Sequence, residues 1–528
     1  MRQIHSSAWI LVLLSAGLQV VIFPRPDLYW LSWIAVAPLI VAILRARAPE
    51  TLHLEGQARL RPASPWQGFL LSYVGGIFWW AFTCYWLVDT LHRYGELSLP
   101  VSLLIQFSFC IFLALHQGLF GLLLALVAGG RAAGRRALVA APFLWVAVEL
   151  LRTRITSVPW EMLGNAQIGN AMLTRITTLT GVYGLSFEIV LVNSVFAAAF
   201  LVEKERRRWL LVSALAAAAF LQAGMFVPLP SAPADRSALL VQPNVPVMEG
   251  NTWTAEYFQS TLRDLSRISL HPPGIAEGRR FDLIVWPESP TPFFLNDPAF
   301  RQPMAALAQQ SGTWLLVGSI GVGNFSDATQ KSNEVFNSAA LISPAGAFTA
   351  RYDKVHLVPF GEYVPFKDLL PFMDMLTQQV GTFAWGHSRD PLAADGQKLG
   401  VFICYESVFP HEVRQFVQRG ANALVNISND GWYGDSGAWK QHLQQTRMRA
   451  VENGRWLLIG TNTGMTASVD PYGRIVAATE RKTRTALVAP YALASGTTFY
   501  TRHGDVFAYL CAIISLGAVV ARFAVSSR

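Results

Sequence analysis

Charged residues are scarce in this sequence of 528 amino acids. Asp, Glu, Lys and Arg together make up 14% of the chain, whereas an ordinary soluble domain has about 25%. Hydrophobic residues make up 52%, and they concentrate before residue 229 and after residue 502. This composition excludes a purely soluble protein and indicates membrane parts on both sides of a globular segment.

Cysteine is also rare, with four residues in the whole chain. Cys84, Cys110 and Cys511 lie in apolar runs, so Cys404 is the single thiol of the globular segment. A disulfide framework is therefore excluded there. Cys404 remains as a candidate for thiol chemistry.

The surplus of positive charge, +8 at pH 7, is not spread over the chain. Residues 229–502 hold 23 Lys and Arg against 23 Asp and Glu, so the whole surplus lies beside the apolar stretches. Membrane topology accounts for that distribution better than nucleic-acid binding. We expect no nucleic-acid partner.

Eight apolar stretches approach the length of about 20 residues that a membrane-spanning helix needs. They predict seven transmembrane helices in residues 1–228, an extracytoplasmic domain in residues 229–502, and an eighth helix with a cytoplasmic tail in residues 503–528. Glu149 and Glu188 lie within two of the stretches, and we interpret them as facing a neighbouring helix or water. The stretches are 6–24, 28–44, 67–88, 98–128, 137–151, 176–202, 209–226 and 505–522.

Lys and Arg in alternate loops predict the orientation of these helices. One side of the membrane receives 14 basic residues and the other receives five, which are Arg25, Arg93, Arg152, Arg154 and Arg175. Because the richer side faces the cytoplasm, we expect both termini to be cytoplasmic and the globular segment to lie outside the cytoplasmic membrane.

The globular segment alternates β-branched runs with helical patterns, which favours layered α/β packing. The predicted strands are 238–245, 281–286, 314–320, 338–343, 400–404, 423–427, 456–461 and 467–470. The predicted helices are 255–268, 297–310, 410–418 and 438–453.

Common cofactor motifs are missing from the segment. The glycines after the strand at 314–320 do not follow a dinucleotide-binding pattern, and there is no P-loop and no G-x-S-x-G nucleophile elbow. His356, His411 and His442 do not have the spacing of metal ligands. We therefore expect neither a cofactor nor a metal.

Three clusters at strand ends contain groups with complementary chemistry. Glu288 follows the strand at 281–286, Lys354 lies in the run Arg351–Glu362, and Cys404 ends the strand at 400–404. Open α/β folds place their chemistry at such strand ends. Taken singly, each residue also has a structural interpretation: a helix cap for Glu288, a surface ion pair for Lys354 and a small buried side chain for Cys404.

The types of these three groups suit acyl transfer. A thiol is mostly protonated at neutral pH, so a nucleophilic Cys404 needs a base such as Glu288. The Lys354 ammonium and the backbone N–H of Tyr405 are candidates for stabilising the oxyanion, and Glu362 is placed to hold Lys354.

The motifs Trp286-Pro-Glu288, Tyr352-Asp-Lys354 and Ile403-Cys-Tyr-Glu406 resemble those of the nitrilase superfamily. That resemblance implies a four-layer α-β-β-α sandwich. The string Lys354–Glu362, the motif Ser428–Trp432 and the membrane stretches are similar, more narrowly, to the apolipoprotein N-acyltransferases of bacterial inner membranes. This second resemblance covers nearly the whole chain.

The narrower resemblance implies that an acyl chain passes from a phospholipid, chiefly phosphatidylethanolamine, to the enzyme as a thioester. The acyl chain then moves to the N-terminal amine of a diacylated apolipoprotein, in the inner membrane with the catalytic domain on the periplasmic side. Matching positions make Cys404 the nucleophile, Glu288 the base and Lys354 the oxyanion-stabilising cation. The resemblance assigns supporting roles to Glu362, Tyr405 and Glu406, and substrate contacts to Trp253, Asn337 and Trp432.

Two other functions remain open from the sequence. A membrane-anchored amidase or nitrilase would use the same three residues and pass the acyl group to water. A transporter with an external binding domain would account for the spans and for Glu188, but not for the triad. The apolar segment 363–385, just after Lys354, is a candidate for a loop that enters the membrane interface and gates the site.

Overall fold

The computed structural model describes residues 4–47, 60–129, 133–201, 204–222, 226, 233–247, 254–288, 293–323, 325, 334–363 and 383–526. The chain forms two compact units. The first contains Met1–Val88, Ser98–Pro228 and His503–Arg528, and the second contains Asp89–Leu97 and Leu229–Arg502. Most of the proposed gating segment, 364–382, lies outside the described residues.

The first unit is helical. Its α-helices are α1 (Ser6–Val21), α2 (Ser32–Ala35), α3 (Ala37–Arg45), α4 (Pro65–Thr83), α5 (Trp86–Asp89), α6 (Leu99–Ala128), α7 (Ala133–Leu151), α8 (Thr177–Thr180), α9 (Val182–Leu201) and α10 (Lys204–Leu221). Its last helix is α16 (Val506–Ser526). A π-helical turn, Thr90–Tyr94, follows α5 and belongs to the second unit.

Three helical stretches in the described part of the chain are long and apolar enough to cross a bilayer: Leu99–Ala128, Val182–Ala199 and Val506–Phe523. A fourth forms if Pro65–Thr83 and Trp86–Tyr94, which meet at an angle of 50°, count as one span. Ser6–Val21 and Tyr29–Arg45 are apolar but shorter.

The two acids within the predicted spans have hydrogen-bond donors beside them. Glu149 accepts hydrogen bonds from Trp145 Nε1 at 3.1 Å and from the backbone N–H of Leu163 at 2.8 Å. Glu188 accepts one from Gln222 Nε2 at 2.6 Å. Such contacts with neighbouring groups agree with our interpretation of both acids and do not by themselves indicate transport.

The second unit is built on two six-stranded sheets, with the orders β12-β1-β2-β3-β4-β5 and β11-β10-β9-β8-β7-β6. The first six strands are β1 (Arg236–Gln242), β2 (Leu283–Val285), β3 (Trp314–Val322), β4 (Val335–Ile342), β5 (Phe348–Asp353) and β6 (Leu392–Ala394). The others are β7 (Gln397–Ile403), β8 (Ala423–Ser428), β9 (Leu457–Thr461), β10 (Ala467–Val469), β11 (Ile475–Ala478) and β12 (Thr485–Tyr491). The helices are α11 (Ala255–Leu270), α12 (Pro298–Ser311), α13 (Pro410–Gln418), α14 (Ala438–Asn453) and α15 (Phe499–His503).

Successive side chains of a strand point to opposite faces of its sheet, so each sheet packs against a different core on each face. On β1, Ala238 and Leu240 belong to a core shared by both sheets, whereas Leu239 and Val241 join a second core with α11 and α12. Side chains of α13 and α14, such as Phe416 and Leu443, pack into the shared core from the other side. The order is therefore helices, sheet, sheet, helices, and the α/β prediction is confirmed.

All eight predicted strands and all four predicted helices are present, with ends shifted by at most a few residues. Local signals explain the helix ends. The Thr254 side chain accepts a hydrogen bond from the N–H of Tyr257 at the start of α11, and α12 begins with Asp297 as N-cap and ends at Gly312 in a left-handed conformation. Four strands, β5, β6, β11 and β12, were not predicted.

Candidate active site

Lys354 lies at the centre of a buried cluster of charges. It directly follows β5, and its side chain is 1% exposed. Lys354 Nζ lies 2.9 Å from Glu362 Oε1 and 3.3 Å from Glu288 Oε1. Burial alone lowers the pKa of Lys354, but the carboxylates of Glu362 and Glu288 more than offset this and raise it. The ammonium is therefore charged at neutral pH.

Asn337, on β4, ties the two carboxylates together. Its Nδ2 donates to Glu288 Oε1 at 2.8 Å and to Glu362 Oε1 at 2.7 Å. The second oxygen of each carboxylate accepts a backbone N–H, from Asn429 for Glu288 and from Val358 for Glu362, both at 2.8 Å. Every carboxylate oxygen thus has a donor, which fixes both side chains.

Glu406 organises the backbone on both sides of the site. Its carboxylate accepts hydrogen bonds from the N–H groups of Val355 at 2.6 Å, His356 at 3.0 Å and Ile403 at 2.6 Å. The Tyr352 hydroxyl donates to the same carboxylate at 2.8 Å. Glu406 therefore joins the loop after Lys354 to the strand that carries Cys404, a supporting position rather than a reacting one.

Cys404 directly follows β7 and is the first residue of the 3₁₀ turn Cys404–Val408, where its backbone is strained. Its φ is +52°, in the left-handed region that costs a non-glycine residue about 1–3 kcal/mol. A sharp turn of this kind directs the side chain away from the end of the strand, as in nucleophile elbows. The absence of a G-x-S-x-G motif therefore did not exclude an elbow, because a cysteine holds this one.

Charges of both signs act on the pKa of the Cys404 thiol. Burial and the Glu288 carboxylate raise its pKa well above the usual value, and the Lys354 ammonium and a hydrogen bond with the Ser428 side chain act in the opposite direction. The resting sulfur is therefore a neutral thiol. A nucleophilic role for this thiol requires a base that takes its proton. Glu288, whose Oε1 accepts a hydrogen bond from Lys354 Nζ, is the candidate base.

A buried histidine, His442, contacts the backbone of the turn at Cys404. The sequence did not predict this contact. His442, on α14, has Nδ1 at 3.1 Å from Asp430 Oδ1 and Nε2 at 3.1 Å from the carbonyl oxygen of Cys404. Burial by itself lowers the pKa of His442, but Asp430 more than offsets it and raises it. His442 Nε2 also lies 2.9 Å from Ser407 Oγ, so both ring nitrogens have oxygen partners that fix the imidazole beside the turn at Cys404.

The remaining predicted site residues have different positions. The Tyr405 ring packs edge to face against Phe409, with ring centroids 5.2 Å apart. Trp432 is 44% exposed, and its carbonyl oxygen accepts a hydrogen bond from the Thr90 hydroxyl at 3.0 Å. Tyr94 meets the Trp432 ring edge to face at 5.7 Å. Trp253 lies outside the described residues.

The sequence matches two family profiles. The profile of the apolipoprotein N-acyltransferase N-terminal domain matches residues 15–195, and that of carbon-nitrogen hydrolases matches residues 237–499. The apolipoprotein N-acyltransferase of Geobacter metallireducens is 34% identical over 98% of this chain and 95% of its own length. The chain belongs to the apolipoprotein N-acyltransferase family.

Other members of the family are similarly related. The apolipoprotein N-acyltransferase of Methylococcus capsulatus is 33% identical over 89% of this chain and 90% of its own. Among solved structures, Nit3 of Saccharomyces cerevisiae, a nitrilase-superfamily member, shares 17% identity and covers 52% of this chain and 95% of its own, with a TM-score of 0.36. A carbon-nitrogen hydrolase of Helicobacter pylori shares 18% identity over 48% of this chain and 88% of its own, with a TM-score of 0.34.

Proposed function

We propose that this chain transfers a fatty acyl group from a phospholipid to the N-terminal amine of a diacylated apolipoprotein, through a thioester on Cys404. The observation that carries the proposal is the buried Lys354, bonded to Glu288 and Glu362 beside a neutral thiol in a strained turn. Membership of the apolipoprotein N-acyltransferase family supports the choice of substrates.

The first half-reaction forms the acyl-enzyme. Glu288 takes the thiol proton as the Cys404 sulfur attacks the ester carbonyl carbon of the phospholipid, chiefly phosphatidylethanolamine. The charge that develops on the carbonyl oxygen is stabilised by the Lys354 ammonium and by the backbone N–H of Tyr405. The ester carbon–oxygen bond then breaks, and Glu288 returns the proton to the departing lysophospholipid.

The second half-reaction uses the same groups in reverse. The neutral amine of the apolipoprotein attacks the thioester carbon, Glu288 takes the proton that the nitrogen loses, and the carbon–sulfur bond breaks. The proton returns from Glu288 to the sulfur, which restores the thiol. Glu362 and Asn337 hold Lys354 and Glu288 throughout, so the cluster needs no rearrangement between the two steps.

Membrane spans in the same chain serve this chemistry. Both substrates are lipids, and removing a lipid from the bilayer costs about 0.8 kcal/mol for each exposed methylene. An enzyme held at the bilayer avoids that cost. We propose that the eight apolar stretches cross a bacterial inner membrane, with both termini in the cytoplasm and residues 229–502 on the periplasmic side.

Phospholipid without an acceptor should produce a burst and then a stall. With about one equivalent of lysophospholipid released per enzyme, the thioester has no amine to react with, as ping-pong chemistry requires. A diacylated lipopeptide with a free N-terminal amine should restart turnover, and the same peptide with an acetylated amine should not. Mass spectrometry of the stalled protein should show the acyl mass on the peptide that contains Cys404.

Water is the competing acceptor in this experiment. Steady release of free fatty acid without lipopeptide, at the rate seen with it, would identify a hydrolase of the amidase type. Release of neither lysophospholipid nor free fatty acid, with or without lipopeptide, would exclude both enzymes and leave the transporter.

The orientation is tested by fusions to a reporter that is active only outside the cytoplasmic membrane. A fusion at Ser495 should be active, whereas fusions after Arg61 or Arg208 should be inactive, because the loops at those arginines carry the excess of positive charge. A cytoplasmic reporter at the same three positions is the matched control and should give the opposite pattern. Resistance of residues 229–502 to protease added to spheroplasts would contradict the proposed topology.

A further inference from the structure

Two histidines and a glutamate converge away from the triad. His356 lies in the loop after β5, and His411 and Glu412 lie in the first turn of α13. His356 Nε2 is 3.2 Å and His411 Nε2 is 3.3 Å from the same oxygen, Glu412 Oε1. One ligand atom from each of the three residues lies within 4.8 Å of the others.

These separations have the dimensions of a zinc site. Zinc binds imidazole nitrogen at about 2.0–2.1 Å and carboxylate oxygen at about 2.0–2.2 Å in tetrahedral geometry, which places neighbouring ligand atoms about 3.3 Å apart. The observed nitrogen–oxygen separations match that edge length. The three side chains are between 11% and 27% exposed, so a water molecule has access to the fourth position.

Neighbouring groups hold the three side chains in place. The second oxygen of Glu412, Oε2, forms an ion pair with Arg389 and accepts a hydrogen bond from Gln415 Nε2 at 3.2 Å. The His356 ring stacks on Phe409 with centroids 4.2 Å apart and planes inclined by 12°. Outer contacts of this kind orient metal ligands and leave Glu412 Oε1 to face the two imidazoles.

We propose that His356, His411 and Glu412 bind one divalent transition-metal ion, with zinc favoured by the ligand set. Two neutral imidazoles and a carboxylate suit zinc better than calcium or magnesium, which prefer oxygen ligands. The ion fastens the loop between Lys354 and Glu362 to α13 and so stabilises the segment that carries Glu362. This site departs from our expectation from the sequence, in which His356 and His411 are too far apart to suggest shared ligation.

The test is metal binding by the full-length, tag-free protein in detergent, in a Cys404→Ser background so that the thiol takes no metal. After removal of metal with a chelator, calorimetric titration with ZnCl2 should give one equivalent, and Co²⁺ should give the visible absorption of a tetrahedral complex. His356→Ala and His411→Ala should each weaken zinc binding by at least about 100-fold. His387→Ala, which removes an exposed histidine, should bind zinc as the parent does.

The proposal also predicts a response of the parent protein that does not depend on whether the variants fold. Zinc at 100 times its dissociation constant should raise the unfolding temperature, because a ligand of the native state stabilises it. A parent whose unfolding temperature and cobalt spectrum do not respond to metal overturns the proposal. Equal loss of binding in His387→Ala, or undiminished binding in both ligand variants, overturns it as well.

Discussion

Cys404→Ala should lower kcat/KM for acyl transfer by at least about 10³-fold. The alanine has no atom to form the thioester, so neither half-reaction has a covalent route. Glu288→Gln should cause a loss of similar size, because the Cys404 thiol is neutral in the folded protein and an amide cannot take its proton. The measurement is lipopeptide acylation with phospholipid as donor, together with the search for an acyl adduct.

The matched control is Cys511→Ala, which removes another buried cysteine of the chain. It should retain the parental rate, and both cysteine variants should unfold at temperatures close to that of the parent, while Glu288→Gln should remain folded. Acyl transfer above one tenth of the parental rate in Cys404→Ala would remove Cys404 from the mechanism. The same rate in Glu288→Gln would require another base.

Lys354→Ala should also lower kcat/KM by at least about 10³-fold, because it removes the cation at the developing oxyanion. Lys354→Arg should fail too, since a wide planar guanidinium does not replace a compact ammonium between two carboxylates. The alanine variant should in addition lose about 3–5 kcal/mol of unfolding free energy, because it leaves Glu288 and Glu362 buried without their cation. Kinetics and denaturant unfolding measure the two effects.

Lys398→Ala removes an exposed lysine and is the control for both measurements. Glu362→Gln keeps the shape of the side chain and removes its charge, which weakens the ion pair with Lys354 and sets an amide N–H against a donor that the carboxylate accepts. We expect it to reduce kcat far less than Lys354→Ala does. Near-parental turnover in Lys354→Arg would show that a precisely placed ammonium is not required.

The four strands that the sequence did not predict are the four edges of the two sheets. β5 and β12 end one sheet, and β6 and β11 end the other. Interior strands are buried on both faces and appear as continuous apolar runs, whereas an edge strand is partly exposed. Three of the four residues of β11 are exposed, for example. The signal that predicted a strand was a continuous apolar run, which reflects burial. This signal is weakest in edge strands, because one side of each faces solvent.

The active site shows the same division. Glu288 and Cys404 were identified because each lies at the end of a predicted apolar strand, and Lys354 because it lies in the charged run Arg351–Glu362. The strained backbone of Cys404, its support by His442 and Asp430, and the junction at Asn337 were not predicted from spacing. Residues 89–97 lie between two predicted spans, and the sequence did not predict that they pack with the second unit, where Thr90 and Tyr94 contact Trp432.

The sequence by itself determined the composition of a membrane protein, the strand and helix pattern of an α/β unit and the three side chains that we propose to be reactive. These properties follow from local order, because apolar periodicity and the residue at a strand end can be read within a few positions. Only the tertiary structure decided which side chains donate hydrogen bonds to the same carboxylate oxygen, and which carboxylates accept from the same donor. Such contacts join residues from different strands and sheets, and they depend on register and on sheet packing, which local sequence does not encode.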